Sequence, residues 1–589
     1  MKIFYAAAFD NEGVSSDTSK LRELEALGHT VIAYNYRVRG AMLSHNPLVS
    51  VARDDEIITL CKNWAPDFII FAKCNGIDIR VFEEVKKVAP VCYWFADPYV
   101  TYDNPEFFLK TETADFVTCD KKNVYEKSIT LNPNTFITPD GYDRLAERPK
   151  EVEKQYNVSF IGNLYGDRKE KIEQIAHPVD IINNVYGDEH SVAVSATKIN
   201  LNFCTSEGPS DRVFKVLGTK GFLITDEWAD RPDYFEDGED LVVFKDFDDL
   251  NEKIEFYLKN DTERERIAAN GYKKVQQYTR QEWARKTIEV LHNLNIDRSY
   301  TKPKQTVLIA GPWIGEFGWE LFCWQGHIRS LAKYYDKVIC ISSKHSSFLY
   351  EDFCNLYISF DPEGVGPRDS YHRQGVTLDG RYYQNLLKSL KLDFDKNAIT
   401  LFPPRKIGGA PMLSLLEKNQ LGPHYLAPTY EKLGEAERRD DLVLVHARNR
   451  SIRTNDNWGL KNWEDLVDKL SNKGYNVICI GTKGHSLHIP GAEDHRECKG
   501  SELMNLFASA KCIIGESSGP MHLASLAGCP QIVWADWHTS AFSPEDNCRR
   551  YKDFWNPFKT SVMFLDQHGA NPPVDHVYEK FLKWSFDDE

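Results

Sequence analysis

The chain has 589 residues, a length that predicts about four domains at roughly 150 residues each. Apolar residues make up 42% and charged residues 27%, the balance of a globular protein with sizeable cores, not of a disordered chain. With 72 basic and 87 acidic residues the net charge is −15, which disfavours broad attraction to phosphate polymers but leaves room for a local basic groove.

The thirteen cysteines are scattered singly, without a CxxC pair. They read as reduced thiols in a reducing compartment, not as a disulfide frame or zinc site. The start, Met1 to Gly13, holds a short apolar run that stops at Asp10; it reads as a first buried strand and not as a signal peptide. No apolar run reaches the roughly 18 residues of a membrane-spanning helix. A cytoplasmic protein without a transmembrane segment is expected.

In chain order, strands are predicted at Ile3–Phe9, His29–Tyr34, Phe68–Ala72, Val91–Phe95 and Phe116–Thr118, with helical stretches such as Lys20–Leu27 between them. Strands alternating with helices predict a parallel sheet with crossovers, here over residues 1–150. A second lobe, 151–296, opens with Val158–Ile161 and contains strands at Ile199–Phe203 and Gly221–Thr225. Two or three charged helices, from Asp248 to Leu294, close it. Residues 297–305 are polar, contain Pro303 and form the predicted linker.

The pattern then restarts. Residues 306–435 hold strand Thr306–Ala310, a Gly-rich turn, helix Trp319–Tyr335, strand Lys337–Ser342 and an irregular stretch. Residues 436–589 hold strands Leu442–His446, Asn476–Ile480, Lys511–Ile514 and Gln531–Trp534. The helices of this lobe are predicted at Trp463–Asn472, Ser501–Ser509 and Met521–Ala527. The fold class is α/β, in two halves of two lobes each.

Four motifs carry chemistry. The turn Gly311–Leu321 follows a strand and opens a helix, exposing amides at a helix start. Glu316 or Glu320 there could take a proton from a substrate hydroxyl, or simply cap the helix. The stretch Gly515-Glu516-Ser517-Ser518-Gly519-Pro520-Met521-His522 lies between a strand and a helix, where small hydroxyl residues and amides form an anion site. Its plain alternative is Ser518 as an ordinary N-cap and His522 as a packed core residue. Arg448 and Arg450, with Arg453 behind, follow a strand end and suit a diphosphate clamp. Lys461, between Trp458 and Trp463, adds a cation. In the first half, Arg212 near a helix start could hold an anion or be a surface charge.

Residues 158–291 resemble the C-terminal lobe of CgeB-type, spore-maturation-like glycosyltransferases. The resemblance rests on Phe160-Ile-Gly162-Asn163, Asp211-Arg-Val-Phe214, Gly221–Asp226 and the tail from Glu263 to Arg280. The second half resembles the ADP-heptose:lipopolysaccharide heptosyltransferase type, through Gly515–Ala524, Gly528-Cys-Pro530 and Gly315-Glu316. Both families have the two-Rossmann-lobe GT-B fold, so the resemblance implies two tandem GT-B-like modules. There are departures. Lys215 stands where the first family carries an acid that holds the donor ribose. Glu316 replaces an Asp, and Ser517-Ser518-Gly519 replaces Asp-Thr-Gly.

The resemblance implies transfer of a sugar from a nucleotide-sugar donor to a hydroxyl of a glycan or other acceptor. The donor would lie against Glu516, Ser517, Ser518, Gly519, Met521, His522, Arg448, Arg450 and Lys461. Glu316, with Glu320 as competitor, would act as base in an inverting step. Gly162, Asn163, Arg212, Phe214 and Lys215 mark a second candidate donor site. The scheme needs no metal and no cofactor beyond the nucleotide-sugar co-substrate. Two alternatives stand beside it: a viral-type transferase acting on hydroxymethylated DNA bases, which the net charge disfavours, and a first half that serves as a non-catalytic acceptor-binding scaffold.

Overall fold

A computed structural model describes the chain except residues 10–14, 45–49, 98–104, 165, 205–207, 304, 364–374, 377, 379, 390–398, 403–426, 452–453, 537–542, 566 and 585–589. The Pro403-Pro404 and Gly408-Gly409 stretch, Arg453 and the acidic tail therefore lie outside the described residues. The described residues fall into two compact units, one up to Pro303 and the other from 305 onward.

The first unit contains two parallel sheets. One has the order β2-β1-β3-β4-β5-β6, from β1 (Lys2–Ala7), β2 (Thr30–Asn35), β3 (Phe68–Ala72), β4 (Val91–Phe95), β5 (Phe116–Cys119) and β6 (Thr135–Ile137). Strands β3 and β4 are buried along their whole length, because helices cover both faces of such a sheet. The other has the order β11-β10-β9-β7-β8, from β7 (Tyr156–Ile161), β8 (Asp180–Ile182), β9 (Thr197–Asn202), β10 (Leu223–Asp226) and β11 (Val242–Phe244). The charged stretch behind it folds as three helices, Phe247–Lys259, Asp261–Val275 and Arg280–Leu294. The last packs Trp283, Ile288 and Leu291 onto the core of the first sheet. The polar segment after it is docked: Arg298 pairs with Asp115, and the Tyr300 hydroxyl donates to the Lys62 carbonyl at 3.0 Å.

The second unit repeats the plan. Its first sheet runs β14-β13-β12-β15, from β12 (Val307–Ala310), β13 (Lys337–Ser342), β14 (Leu356–Ser359) and β15 (Ile399–Phe402). Its second runs β18-β17-β16-β19-β20-β21, from β16 (Arg439–His446), β17 (Asn476–Cys479), β18 (Glu493–Asp494), β19 (Ala510–Glu516), β20 (Gln531–Trp534) and β21 (Val562–Phe564). This is the 3-2-1-4-5-6 order of doubly wound dinucleotide folds. The order reverses between β16 and β19, and ligands of open α/β sheets bind beyond the carboxyl ends of the strands at that point.

One predicted helix differs. The stretch expected as helix Trp319–Tyr335 is a short turn, Phe317–Trp319, a π-helical segment, Glu320–Trp324, and a helix, Gln325–Ala332. The widened turn accommodates Glu320 through Trp324, all buried at once. Such π insertions occur often at functional sites. No described helix is long and apolar enough to cross a membrane.

Candidate functional site

At the switch point of the last sheet, β16 ends at His446 and β19 at Glu516, with His446 paired to Gly515. The helix Gly519–Leu526 starts just beyond, with Ser518 as its first flanking residue in an extended conformation. Ser518 does not cap that helix through its side chain; its Oγ is buried without a hydrogen-bond partner. The ordinary N-cap reading therefore fails. The Ser518 hydroxyl is thus a buried donor left unsatisfied at the start of this helix.

His522 sits one turn in. Its ring stacks on Tyr551, with centroids 5.1 Å apart, and meets Trp555 and Phe322 edge-on at 4.6 and 5.9 Å. Burial among these rings lowers its pKa to about 4, so near neutral pH it is an uncharged hydrogen-bonding group. Its Nδ1 has no partner. Ser517 is committed differently: its hydroxyl lies 2.6 Å from the Tyr551 hydroxyl.

Arg448 is buried and ion-paired with Asp456, while its Nε has no partner. Arg450 is half-exposed, and its backbone is tied to Asn457 at 3.2 and 3.0 Å. The predicted clamp is thus one buried arginine, ion-paired with Asp456, and one half-exposed arginine.

Three predicted donor residues point elsewhere. Glu516 is 1% exposed and turned into the fold, accepting from the backbone of Trp458 (2.8 Å) and Arg448 (3.2 Å) and from the Trp463 indole (3.4 Å). Met521 is fully buried, its sulfur against Gly515; it is core. Lys461 is exposed on the first turn of the helix Leu460–Asn472, two residues before buried Trp463 and so on a different helical face.

The glycine turn of the preceding lobe comes to this same helix start. A Cβ on Gly519 would lie 3.3 Å from the Phe317 ring, and one on Gly318 would lie 3.4 Å from the His522 ring. Motifs about 200 residues apart in sequence thereby lie against each other. Glu316 flanks the short Phe317–Trp319 turn, half-exposed, and makes no side-chain cap bond to it. The capping reading of Glu316 is not what the fold uses. Glu320 is different. It has no exposed surface and accepts hydrogen bonds from the hydroxyls of Ser342, Ser346 (2.9 Å) and Tyr350 (2.8 Å). A carboxylate saturated by three buried hydroxyls holds the loop after β13 and is closed to a substrate, which corrects its candidacy as base.

In the first unit the switch point lies between β7 and β9, and Arg212 fills it. Its Nε donates to the Ile161 carbonyl at 2.8 Å and its Nη1 to Asn202 at 2.9 Å, with the guanidinium 4.3 Å over the Phe160 ring. A Cβ on Gly162 would lie 2.5 Å from that guanidinium, so glycine there admits the arginine. Lys215 lies 3.5 Å from Glu147 and 3.9 Å from Asp211. Phe214 is core, packed with Tyr234, Phe235 and Tyr278. The Asn163 carbonyl accepts from Arg168 at 2.9 Å. Most of the predicted first-half donor residues are therefore engaged with the protein itself.

Sequence reasoning missed Tyr551, Trp555 and Phe322, which wall His522; an aromatic spacing of four at Tyr551 and Trp555 was the available signal. It also passed over two Asp-Phe-Asp triplets. In Asp246-Phe247-Asp248, Asp246 caps the following helix through the Asp249 amide; 393–395 lies outside the described residues.

Residues 144–289, which fall in the second lobe of the first unit, match the family model described as glycosyl transferase-like. No curated protein matches the chain. Solved structures similar to about half of it include Anabaena HepE in complex with UDP and glucose, at 11% identity and a TM-score of 0.38, covering 50% of this chain and 100% of that one. The T4 phage BGT bound to its UDP-glucose substrate is 12% identical with a TM-score of 0.36, covering 49% and 99%. An alpha-glucosyltransferase with UDP and a 13-mer DNA is 11% identical with a TM-score of 0.39, covering 50% and 99%.

Proposed function

We propose that the chain transfers a sugar from a nucleotide-sugar donor to a hydroxyl acceptor, with the working site in the second unit. The carrying observation is the switch point of the last sheet, where buried Arg448 Nε, just past β16, and Ser518 Oγ and His522 Nδ1, at the helix start after β19, lack partners. A diphosphate supplies the acceptors that Ser518, Arg448 and the helix amides lack. The family match in the first unit and the resemblance of the second half to heptosyltransferases support the same chemistry.

In this reading the glycine turn brings Glu316 to the acceptor side. Its carboxylate removes the acceptor proton as the oxygen attacks the sugar carbon and the bond to the diphosphate breaks, with inversion. The helix end and Arg448 stabilise the charge that develops on the leaving group. The first unit, with Arg212 in its switch point and Lys215 paired to Glu147, is read as a non-catalytic acceptor-binding scaffold by itself. The free thiols suit a cytoplasmic setting.

The test is thermal stabilisation of the full chain by a panel of nucleotide sugars and their nucleoside diphosphates. A member that binds the folded state raises the melting temperature, and Arg448→Ala should reduce the rise at equal ligand concentration. If no member shifts the melting temperature, or the shift is undiminished in Arg448→Ala, the reading fails.

A further inference from the structure

Glu516 has a place in the fold that its sequence position hides. It ends β19, opposite Trp534 of β20, and its carboxylate lies among Trp458, Trp463 and Trp534, whose ring centroids are 4.9 to 5.8 Å apart. Each of its three hydrogen-bond partners named above is a donor. Two are backbone amides of the segment that leaves β16, one at Arg448 and one at Trp458. That segment closes on itself, by the Arg448–Asp456 ion pair and the Arg450–Asn457 bonds. Glu516 thus lies beneath both ends of a strap that carries the buried arginine.

We propose that Glu516 is a positioning residue, whose carboxylate fastens both ends of the Arg448–Trp458 strap and thereby presents Arg448 to the donor diphosphate, and whose protonation loosens the strap. The proposal rests on the reading of this switch point as a donor site. The physical reason is donor–acceptor matching. An ionised carboxylate offers acceptors to all three N–H groups; a protonated one sets an O–H among them and forfeits one. The tryptophan surroundings raise the carboxyl to about 7 by desolvation, which places the change near neutral pH.

The titratable and charged groups on the elements around it are these. From β16 comes His446, lowered to about 4 by burial. The strap contributes Arg448, Asp456 and Arg450. The helix Leu460–Asn472 presents Trp463, with Lys461 outside; β20 presents Trp534. The helix Gly519–Leu526 brings His522, also lowered to about 4. The 550–554 segment brings Arg550 and Tyr551, the latter pushed up by burial.

The experiment follows tryptophan emission of the full chain between pH 5.5 and 8.5. The wild type should show one transition near pH 7, and Glu516→Gln should lack it. On the unmodified chain, exchange of the Arg448 and Trp458 amides, corrected for intrinsic rates, should be faster at pH 6 than at pH 8. A transition that persists in Glu516→Gln, or equal exchange at both pH values, overturns the proposal. A second arm measures binding of inorganic pyrophosphate at pH 8. Glu516→Gln should weaken it about tenfold, the effect of one net hydrogen bond at about 1.4 kcal/mol, and Glu516→Asp should recover part of the loss. Unchanged affinity in Glu516→Gln also overturns the proposal. If the emission and exchange changes occur but the wild type binds neither pyrophosphate nor any nucleotide sugar, the strap is held by Glu516 and the donor-site reading is what fails.

Discussion

Gly318 and His522 face each other within the second unit: a Cβ on the glycine would lie 3.4 Å from the imidazole. That distance is ordinary contact, so the glycine turn and the helix Gly519–Leu526 approach without strain.

The neighbouring Gly315 behaves differently, because a Cβ there would overlap the ring of Trp313, which itself stacks on Trp324 with centroids 5.4 Å apart. Gly315→Ala should therefore destabilise the second unit by about 1–3 kcal/mol, as overpacking does. Gly318→Ala should stay within about 0.5 kcal/mol. Denaturant midpoints of the two variants check this, and equal losses would contradict the geometry.

Glu320 supports the same turn from below. Glu320→Ala would leave the hydroxyls of Ser342, Ser346 and Tyr350 buried without their shared acceptor. The expected cost is roughly 2–4 kcal/mol, from unsatisfied buried groups plus a cavity. Activity lost by this variant should track lost stability. A fully stable but inactive Glu320→Ala would restore it as a base.

Acid stability has two opposing contributions. His446 and His522 are held to about 4 by burial. Their unfolded forms take up a proton near pH 6.5, so their contribution is present above that pH and lost as pH falls toward 4. Glu516 is raised to about 7. Its contribution is present below about 4.5 and lost as pH rises toward 7, the reverse slope. Between pH 7 and 5 the carboxyl offsets part of the histidine loss. Glu516→Gln removes the offset, so it should lose about 2 kcal/mol more than the parent over that interval, at about 1.4 kcal/mol per pH unit. Denaturation of both proteins at the two pH values measures it; equal losses would show that Glu516 does not titrate there.

Much of the fold was legible because central strands of parallel sheets are continuous apolar runs. Phe68–Ala72, Val91–Phe95, Lys337–Ser342 and Gln531–Trp534 occur with the predicted ends. The strands that sequence reading missed are at or beside sheet edges. Asp180–Ile182, Leu356–Ser359 and Glu493–Asp494 are short and largely exposed, so no apolar run marks them. The position of Ser518, His522 and Arg448 just past strand ends was legible in the sequence. The inward turn of Glu516 and the saturation of Glu320 were not, because both depend on partners far along the chain.

The remaining prediction concerns the base. Glu316 and Glu320 are four residues apart, yet one is half-exposed beside the helix start and the other has no exposed surface. The π-helical segment that begins at Glu320 separates their environments. Glu316→Gln preserves shape and removes proton acceptance. Turnover should fall by about 10²–10⁴, the usual effect of losing a general base, while melting temperature and nucleotide-sugar affinity stay near the parent values. Arg448→Ala should show the complementary pattern, with affinity weakened by about 1–3 kcal/mol as a charged hydrogen bond is lost. Steady-state kinetics with a nucleotide sugar that binds, together with calorimetric affinities, separate the two. If Glu316→Gln turns over at the parent rate, proton removal does not run through this turn.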